Sequence, residues 1–148
     1  MEHKDPACFY CQDDDRRKAL MIEIMKLGSS TLYLFRDQKN RGRCVLKLND
    51  HKTDLSQLSD DEYGLFTREL RAVARALTAL FHPDKINYAI YGDLVPHLHV
   101  HIVPKRKDGP QWGSPFSDSV PKKILSDEEY EGLVSSIREE VERQLPHA

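Results

Sequence analysis

The chain has 148 residues, of which 31% are charged and 39% are hydrophobic, and its formal net charge is −2 at pH 7. This length and composition predict one globular domain, residues 1–148, that is long enough to bury a core. The small negative charge gives no electrostatic case for binding nucleic acid or an anionic membrane, and no apolar run approaches the roughly 18 residues of a membrane-spanning helix.

The N-terminal segment is charged and carries two cysteines, Cys8 and Cys11, in a C-x-x-C arrangement. Because it lacks the apolar region of a secretion signal, we expect a cytoplasmic protein, in which cysteines bind metals or stay free more often than they form disulfides. A redox role would require a neighbouring βαβ unit, and a structural zinc site would require two further ligands. Cys44 lies in an apolar strand pattern typical of a buried thiol, so His51 and His97 are the better candidates.

Three strands are predicted in the first third of the chain. The run ALMIEIMKL is followed by the turn residues GSS at 28–30 and by TLYLFR, which together predict a hairpin. Its first strand ends at about Lys26 and its second covers 31–36. After a polar loop, RCVLKL at 43–48 predicts the third strand.

Two helices are predicted from capping signals and periodicity. A capping-box pattern at 59–62 precedes apolar residues spaced three and four apart over 63–80, and Pro83 ends the pattern. A second capping box at 126–129 opens a C-terminal helix, predicted over 126–143.

Two further strands lie between these helices. KINYAIYG alternates and predicts the fourth strand, the fifth is predicted over 97–103, and a long loop over 105–122 follows. The elements therefore follow the order βββαββα. Because the strands cluster as hairpins that only one helix interrupts, we expect an α+β fold: a five-stranded antiparallel sheet with two helices on one face.

The fifth strand reads HLHVHIVP, with His97, His99 and His101 at every second position. Alternate side chains share one face of a strand, so one face carries three imidazoles and the other is apolar. A solvent-facing edge strand that is rich in histidine would explain this pattern without any functional site. A metal-sensing site is a second alternative. Three histidines at strict alternation favour a functional site over either alternative. A neutral imidazole can attack phosphorus or bind a metal ion. Residues two apart lie roughly 7 Å apart along a strand, so one ion would hardly bind all three.

HLHVHIV matches the alternation of histidine and hydrophobic residues that defines the histidine triad family of nucleotide hydrolases and transferases. The resemblance extends over the strand and helix order from about Cys8 to Val103. GDLVPHLHVHIVPKR followed by WGSPF is similar to a bacterial branch of the family. The resemblance implies the same α+β fold and a nucleotide substrate.

The resemblance also implies a mechanism. His99 would be the nucleophile that attacks the α-phosphorus, forming a covalent nucleotidyl-histidine that water then hydrolyses. His101 would donate to the phosphoryl oxygens as charge develops on them. The backbone carbonyl of His97 or of a neighbour would orient the ring of His99 and fix its tautomer.

Other positions match the family unevenly. Asn87 matches an asparagine that lies near the phosphates in many relatives, although a strand-edge amide would account for it equally. Asp93, assigned with Asn87 to substrate binding, stands where relatives usually carry Asn or Gln, and an ionised carboxylate would repel phosphate. Phe35 occupies the usual place of a polar ribose-binding residue, for which Asp37 is the nearest substitute. Arg43 replaces a common histidine.

Zinc-containing members of the family use a C-x-x-C, a histidine after the third strand and the first triad histidine. These positions are occupied here by Cys8, Cys11, His51 and His97, so the resemblance implies a structural zinc ion, with residues 8–11 as its knuckle. The alternative is a pair of free thiols and a loop histidine. A homodimer is implied because the family is commonly dimeric.

The resulting hypothesis is a hydrolase that releases nucleoside monophosphate from nucleoside phosphoramidates or dinucleoside polyphosphates. Alternatives on the same fold are a nucleotidyltransferase to a small acceptor and a non-catalytic nucleotide-binding or regulatory module. A zinc-dependent interaction module with an incidental triad face is a third. Trp112, in the 105–122 loop, would cover the substrate or a partner subunit, or else anchor the loop onto the core.

Overall fold

The computed structural model describes residues 3–146, which contain a five-stranded antiparallel sheet with the strand order β1-β2-β3-β5-β4. Two short helices, α1 (Phe9–Gln12) and α2 (Asp15–Leu20), precede the sheet. The strands are β1 (Met21–Lys26), β2 (Ser30–Phe35), β3 (Cys44–Leu48), β4 (Lys85–Ala89) and β5 (His99–Lys105). A 3-10 turn (Leu55–Gln57) leads into the long helix α3 (Asp60–Phe81), and α4 (Asp127–Gln144) is the last element. The α+β class and the order βββαββα are confirmed, with α1 and α2 as additions.

Both long helices begin at the predicted capping boxes. The hydroxyl of Ser59 accepts from the backbone N–H of Glu62, whose carboxylate accepts from the N–H of Ser59, each at 3.2 Å. Ser126 and Glu129 exchange the same two bonds at 3.2 Å. The helices pack on one face of the sheet, over buried side chains that include Leu46. None of the helices within residues 3–146 is long and apolar enough to cross a membrane.

The start of β1 differs from the expected position. The run ALMIEIMKL is compatible with helix or strand, and the turn that follows it favoured a strand up to about Lys26; the chain is helical up to Leu20 and forms a strand from Met21. Asp14 caps this helix by accepting the N–H of Arg16 at 3.0 Å, and Arg17 donates to the carbonyl of Met21 at 2.9 Å. Local capping by the acidic run therefore outweighs the strand pattern in its first residues.

The bounds of β5 are shifted by two residues from those predicted. The backbone N–H of His97 donates to the carbonyl of Val95 at 2.8 Å, so His97 lies in a tight turn just before the regular strand. At the other end, Lys105 pairs with Lys85 and extends the ladder beyond Val103. His97 is nevertheless completely buried.

The face of the sheet that carries the histidines is also covered. A second apolar cluster joins the α1 segment to this face; its members are Cys8, Tyr10, Cys11, Met21, Tyr33 and Val45. In addition, β5 lies between β3 and β4 rather than at an edge. A solvent-facing edge strand therefore does not explain the histidine pattern.

Candidate active site and candidate metal centre

His99 lies on β5 with only 5% of its surface exposed. Its Nδ1 lies 2.6 Å from the backbone carbonyl oxygen of His97. Because a carbonyl oxygen only accepts, Nδ1 carries the proton and the free lone pair is on Nε2. Burial lowers the pKa of His99, so the ring is neutral at pH 7. This is the tautomer that a nucleophilic imidazole requires, and its orientation matches the one expected from the sequence.

Tyr10 covers the first two histidines. Its ring centroid lies 4.9 Å from that of His99 and 5.6 Å from that of His97. The ammonium of Lys47 donates to the carbonyl of Tyr10 at 3.2 Å and ties α1 to β3. Sequence reasoning did not identify this tyrosine, because only the tertiary packing of the segment at residues 8–11 places it over β5.

His101 lies next to His99, with 5.1 Å between the ring centroids. Arg43 donates from Nη2 to Nδ1 of His101 at 3.3 Å. A guanidinium cannot accept, so Nδ1 of His101 is the acceptor and Nε2 carries the proton. Burial and the adjacent Arg43 charge lower the pKa of His101 to about 3. His101 is therefore neutral and offers an N–H donor at Nε2, whereas His99 offers a lone pair at its own Nε2.

Arg43 is the residue beside the triad that the sequence indicated least. It lies directly before β3 and is 2% exposed, and its ion pair with Asp118 at 3.2 Å connects this position to the long loop. The rings of Phe35 and Phe116 lie 4.0 and 4.9 Å from its guanidinium carbon, so the cation is held between two aromatic faces. Its Nε has no hydrogen-bond partner among the described residues. A buried cation in van der Waals reach of the triad is suited to binding negative charge.

The expected ribose-binding positions have other contacts. Phe35 packs on Arg43 and its ring has no polar atom to offer a sugar. Asp37 is 4% exposed, and its Oδ1 accepts backbone N–H groups of Lys39 and Lys123 at 3.2 and 3.0 Å. Asp37 therefore holds the loop to the chain before α4, and its role as a substitute for Phe35 stays a prediction.

A cleft of about 610 Å³ separates β4 from the long loop and includes Asn87 and Trp112 in its lining. Trp112 is 42% exposed, so it lines the cleft rather than anchoring the loop in the core. Asp93 is exposed in the connection between β4 and β5 and is not among the residues that line the cleft. Of the two residues expected to bind substrate, only Asn87 therefore lines this cleft.

The four predicted metal ligands come together in one cluster. The thiol and imidazole ligand atoms of Cys8, Cys11, His51 and His97 all lie within 4.8 Å of one another, and three of the four residues are buried. Individual separations are 3.1 to 3.4 Å. A tetrahedral ion with bonds of about 2.0 to 2.3 Å would separate its ligands by roughly 3.3 to 3.8 Å, close to these values. This arrangement could hold a metal ion.

The surroundings of the cluster fix which atoms face its centre. Nε2 of His97 lies 2.7 Å from the carbonyl of Leu48, so this nitrogen carries the proton and Nδ1 offers its lone pair to the cluster. The carboxylate of Asp5 lies 3.7 Å from Nε2 of His51 on the outer side. Burial also lowers the pKa of His97 to about 4, which keeps it neutral. The third cysteine, Cys44, is buried and free in the other core, as expected.

Comparisons with a family model and with solved structures identify the same family. The family model of the HIT domain matches residues 16–108. A histidine triad protein from Bradyrhizobium japonicum is 26% identical, with a TM-score of 0.80 over 86% of this chain and 96% of its own. A histidine triad protein from Marinobacter aquaeolei superposes with a TM-score of 0.81 at 20% identity, over 89% of this chain and 96% of its own.

A third solved structure is described as a zinc-bound histidine triad family protein from Mycobacterium smegmatis. It is 22% identical and superposes with a TM-score of 0.65, over 93% of this chain and 94% of its own. None of the curated protein sequences compared with the chain matches it.

Proposed function

Because the chain belongs to the HIT domain family, we propose that it is a nucleotide hydrolase that cleaves at the α-phosphorus of nucleoside phosphoramidates or dinucleoside polyphosphates. The observation that carries the proposal is the 2.6 Å bond from Nδ1 of His99 to the carbonyl of His97, which leaves Nε2 free as a nucleophile. His101, with its proton on Nε2, is the neighbouring donor.

The reaction has two displacements. In the first, Nε2 of His99 forms a bond to the α-phosphorus while the bond to the leaving oxygen or nitrogen breaks; the leaving group takes the electron pair, and a leaving amine takes a proton from solvent. In the second, water attacks the same phosphorus and loses a proton to solvent, the electron pair of the phosphorus–nitrogen bond returns to Nε2 of His99, and nucleoside monophosphate departs. Nε2–H of His101 and the cation of Arg43 stabilise the charge that develops on the phosphoryl oxygens, which is the main requirement of phosphoryl transfer. Asn87 is proposed to contact the substrate from the cleft, and Asp93 stays a sequence prediction.

We propose zinc as the ion of the metal centre. Two thiolates and two imidazoles form a closed, four-ligand set of the kind that structural zinc sites use. The ion would hold α1 against β5 and fix the position of His97, two residues from the proposed nucleophile. It would supply no group to the reaction, since all four of its positions are filled by protein.

The proposed function is tested by incubating the purified protein with an adenosine phosphoramidate and, separately, with a diadenosine tetraphosphate in water enriched in ¹⁸O. We expect adenosine monophosphate to be released with one ¹⁸O on phosphorus, because water resolves the intermediate. Formation of an adenylyl ester with an added alcohol, or of adenosine diphosphate with added phosphate, in place of adenosine monophosphate would indicate a nucleotidyltransferase. Nucleotide binding without turnover of either substrate would indicate a regulatory module and contradict the proposal.

Replacing Arg43 by methionine is expected to lower kcat roughly 10- to 100-fold with little change in KM. The variant loses the donor that holds the proton of His101 on Nε2, as well as the charge beside the site. The tautomer of His101 is read independently from its ¹⁵N chemical shifts. Arg41→Met is the matched control, because Arg41 is exposed and two residues away. Wild-type kcat and unchanged His101 shifts in Arg43→Met would refute this role.

The homodimer and the cytoplasmic location expected from the sequence stay predictions. Sedimentation equilibrium of the purified protein measures the oligomeric state directly. A mass of twice the 17.1 kDa chain is the expected result.

A further inference from the structure

Two lysines face each other across the β4–β5 ladder. Lys85 and Lys105 are direct partners in the antiparallel register, and both line the cleft of about 610 Å³. Side chains in such a pair lie on the same face with Cβ atoms about 5 Å apart, and like charges placed there destabilise the sheet. An anion bound in the cleft would therefore stabilise this pair of like charges.

No protein group of the described part of the chain supplies that anion. Lys105 is only 4% exposed, and its ammonium donates to the backbone carbonyl of Ser114. Within residues 3–146 no carboxylate oxygen lies within 4.0 Å of either ammonium. The residues that line the cleft include no aspartate or glutamate. A buried ammonium without a counter-ion is unfavourable unless a ligand neutralises it.

Aromatic side chains also line the cleft. Tyr91, Trp112 and Phe116 contribute rings to the cleft, and the first two are 53% and 42% exposed. Exposed rings around a concave site provide faces on which a planar group can stack, as bases stack on aromatic side chains. The cleft thus combines two cations with stacking surfaces, which suits an anion that carries an aromatic ring.

The cleft connects to the triad but lies beyond it. The rings of Tyr91 and Phe116 lie 5.6 and 6.0 Å from the ring of His101. Lys105 follows His101 by four residues on the same face, which is about 13 Å along the strand. A phosphate attacked by His99 is too far away to be the anion of the lysine pair. The cleft is therefore placed to receive the distal part of a long substrate.

We propose that this cleft binds the leaving group and selects a nucleoside polyphosphate, with phosphates on Lys85 and Lys105 and the distal base against Trp112. The inference rests on the proposed function and sharpens it: a dinucleoside polyphosphate fills the cleft, whereas the short amine of a phosphoramidate does not reach it. Cationic or neutral leaving groups gain nothing from the lysine pair.

The test compares kcat/KM for diadenosine tetraphosphate and for an adenosine phosphoramidate in wild type, Lys85→Gln, Lys105→Met and Trp112→Ala. Each lysine variant is expected to lower the ratio of the two values roughly 10-fold or more, because an ammonium–phosphate bond is lost for one substrate only. Lys85 is exposed, so its variant separates ligand binding from any folding defect of Lys105→Met. Lys107→Gln is the control. Lys107 is an exposed lysine of the long loop that does not line the cleft, and its replacement is expected to leave the ratio unchanged. A ratio unchanged in Lys85→Gln and Trp112→Ala would overturn the proposal.

A binding measurement separates this inference from the proposed function. Adenosine tetraphosphate is titrated by calorimetry into wild type and into the Lys85→Gln variant at two salt concentrations. Wild type that hydrolyses neither substrate would contradict the hydrolase proposal. If the same protein binds adenosine tetraphosphate at least about 10-fold more tightly than Lys85→Gln does, the polyphosphate site in the cleft is supported independently of turnover. Equal affinities in the two proteins would refute the cleft whatever the turnover.

Discussion

Replacing His99 by alanine is expected to reduce kcat by roughly 10³-fold or more, because the variant has no nucleophile for the first displacement. The affinity for nucleotide is expected to change much less, since His101, Arg43 and the cleft remain in place. The measurement is the rate of adenosine monophosphate release, together with calorimetric titration of a non-hydrolysable nucleotide into the same preparation.

His82→Asn is the matched control for this variant. His82 is exposed, and it ends α3 in a left-handed conformation with φ of 46°, which asparagine tolerates. Its kinetic constants are expected to equal those of wild type. A folded His99→Ala variant that keeps even a tenth of wild-type kcat would contradict the assignment of His99.

Removing a metal ligand is expected to have the second largest effect. Wild type is expected to contain one zinc ion per chain by elemental analysis, and Cys11→Ser to contain much less. A bound ion adds about 4 kcal/mol to the free energy of unfolding when its free concentration is a thousand times Kd, so loss of the site removes a stabilisation of that order. Urea unfolding of both proteins, with and without a chelator, measures the difference.

Cys44→Ala separates metal binding from packing. Cys44 is completely buried in the core between the sheet and the long helices, whereas Cys8 and Cys11 belong to the other apolar cluster. Its replacement is expected to lower stability through lost packing while leaving the zinc content at one ion per chain. Equal metal content in Cys11→Ser and wild type would contradict the ligand assignment.

The fold could be predicted where the local signals were strong. Capping boxes at Ser59 and Ser126 placed both long helices correctly, because each satisfies the first free N–H groups of its helix. The short helix before β1 was missed, since its cap at Asp14 competes with an apolar run that alone is typical of a strand. The shift of β5 was missed because the chain at His97 is held by contacts with distant segments: Nε2 of His97 bonds to the carbonyl of Leu48, and the N–H of Leu98 donates to the carbonyl of Lys52.

The residues of the candidate site also fall into those that a local sequence pattern predicts and those that it does not. The alternation of His99 and His101 is enough to predict that they share one face of β5, since strand geometry has period two. The position of Arg43 against His101 depends on strand pairing, which sets β3 beside β5. The cleft depends on Lys85 and Lys105 meeting across β4 and β5, and no spacing in the sequence indicates that pair. Tertiary pairing, rather than periodicity, therefore supplied the residues that the sequence did not reveal.

A nucleotidyl group bound to His99 is the intermediate on which the proposed reaction depends. The direct measurement is intact mass spectrometry of wild type quenched within milliseconds of mixing with excess adenosine phosphoramidate, followed by peptide mapping under mildly alkaline conditions that preserve a phosphorus–nitrogen bond. The expected result is a chain heavier by one adenylyl group located on His99, and no such species in His99→Ala. Turnover without any adenylylated chain, or an adenylyl group on another residue, would contradict the mechanism.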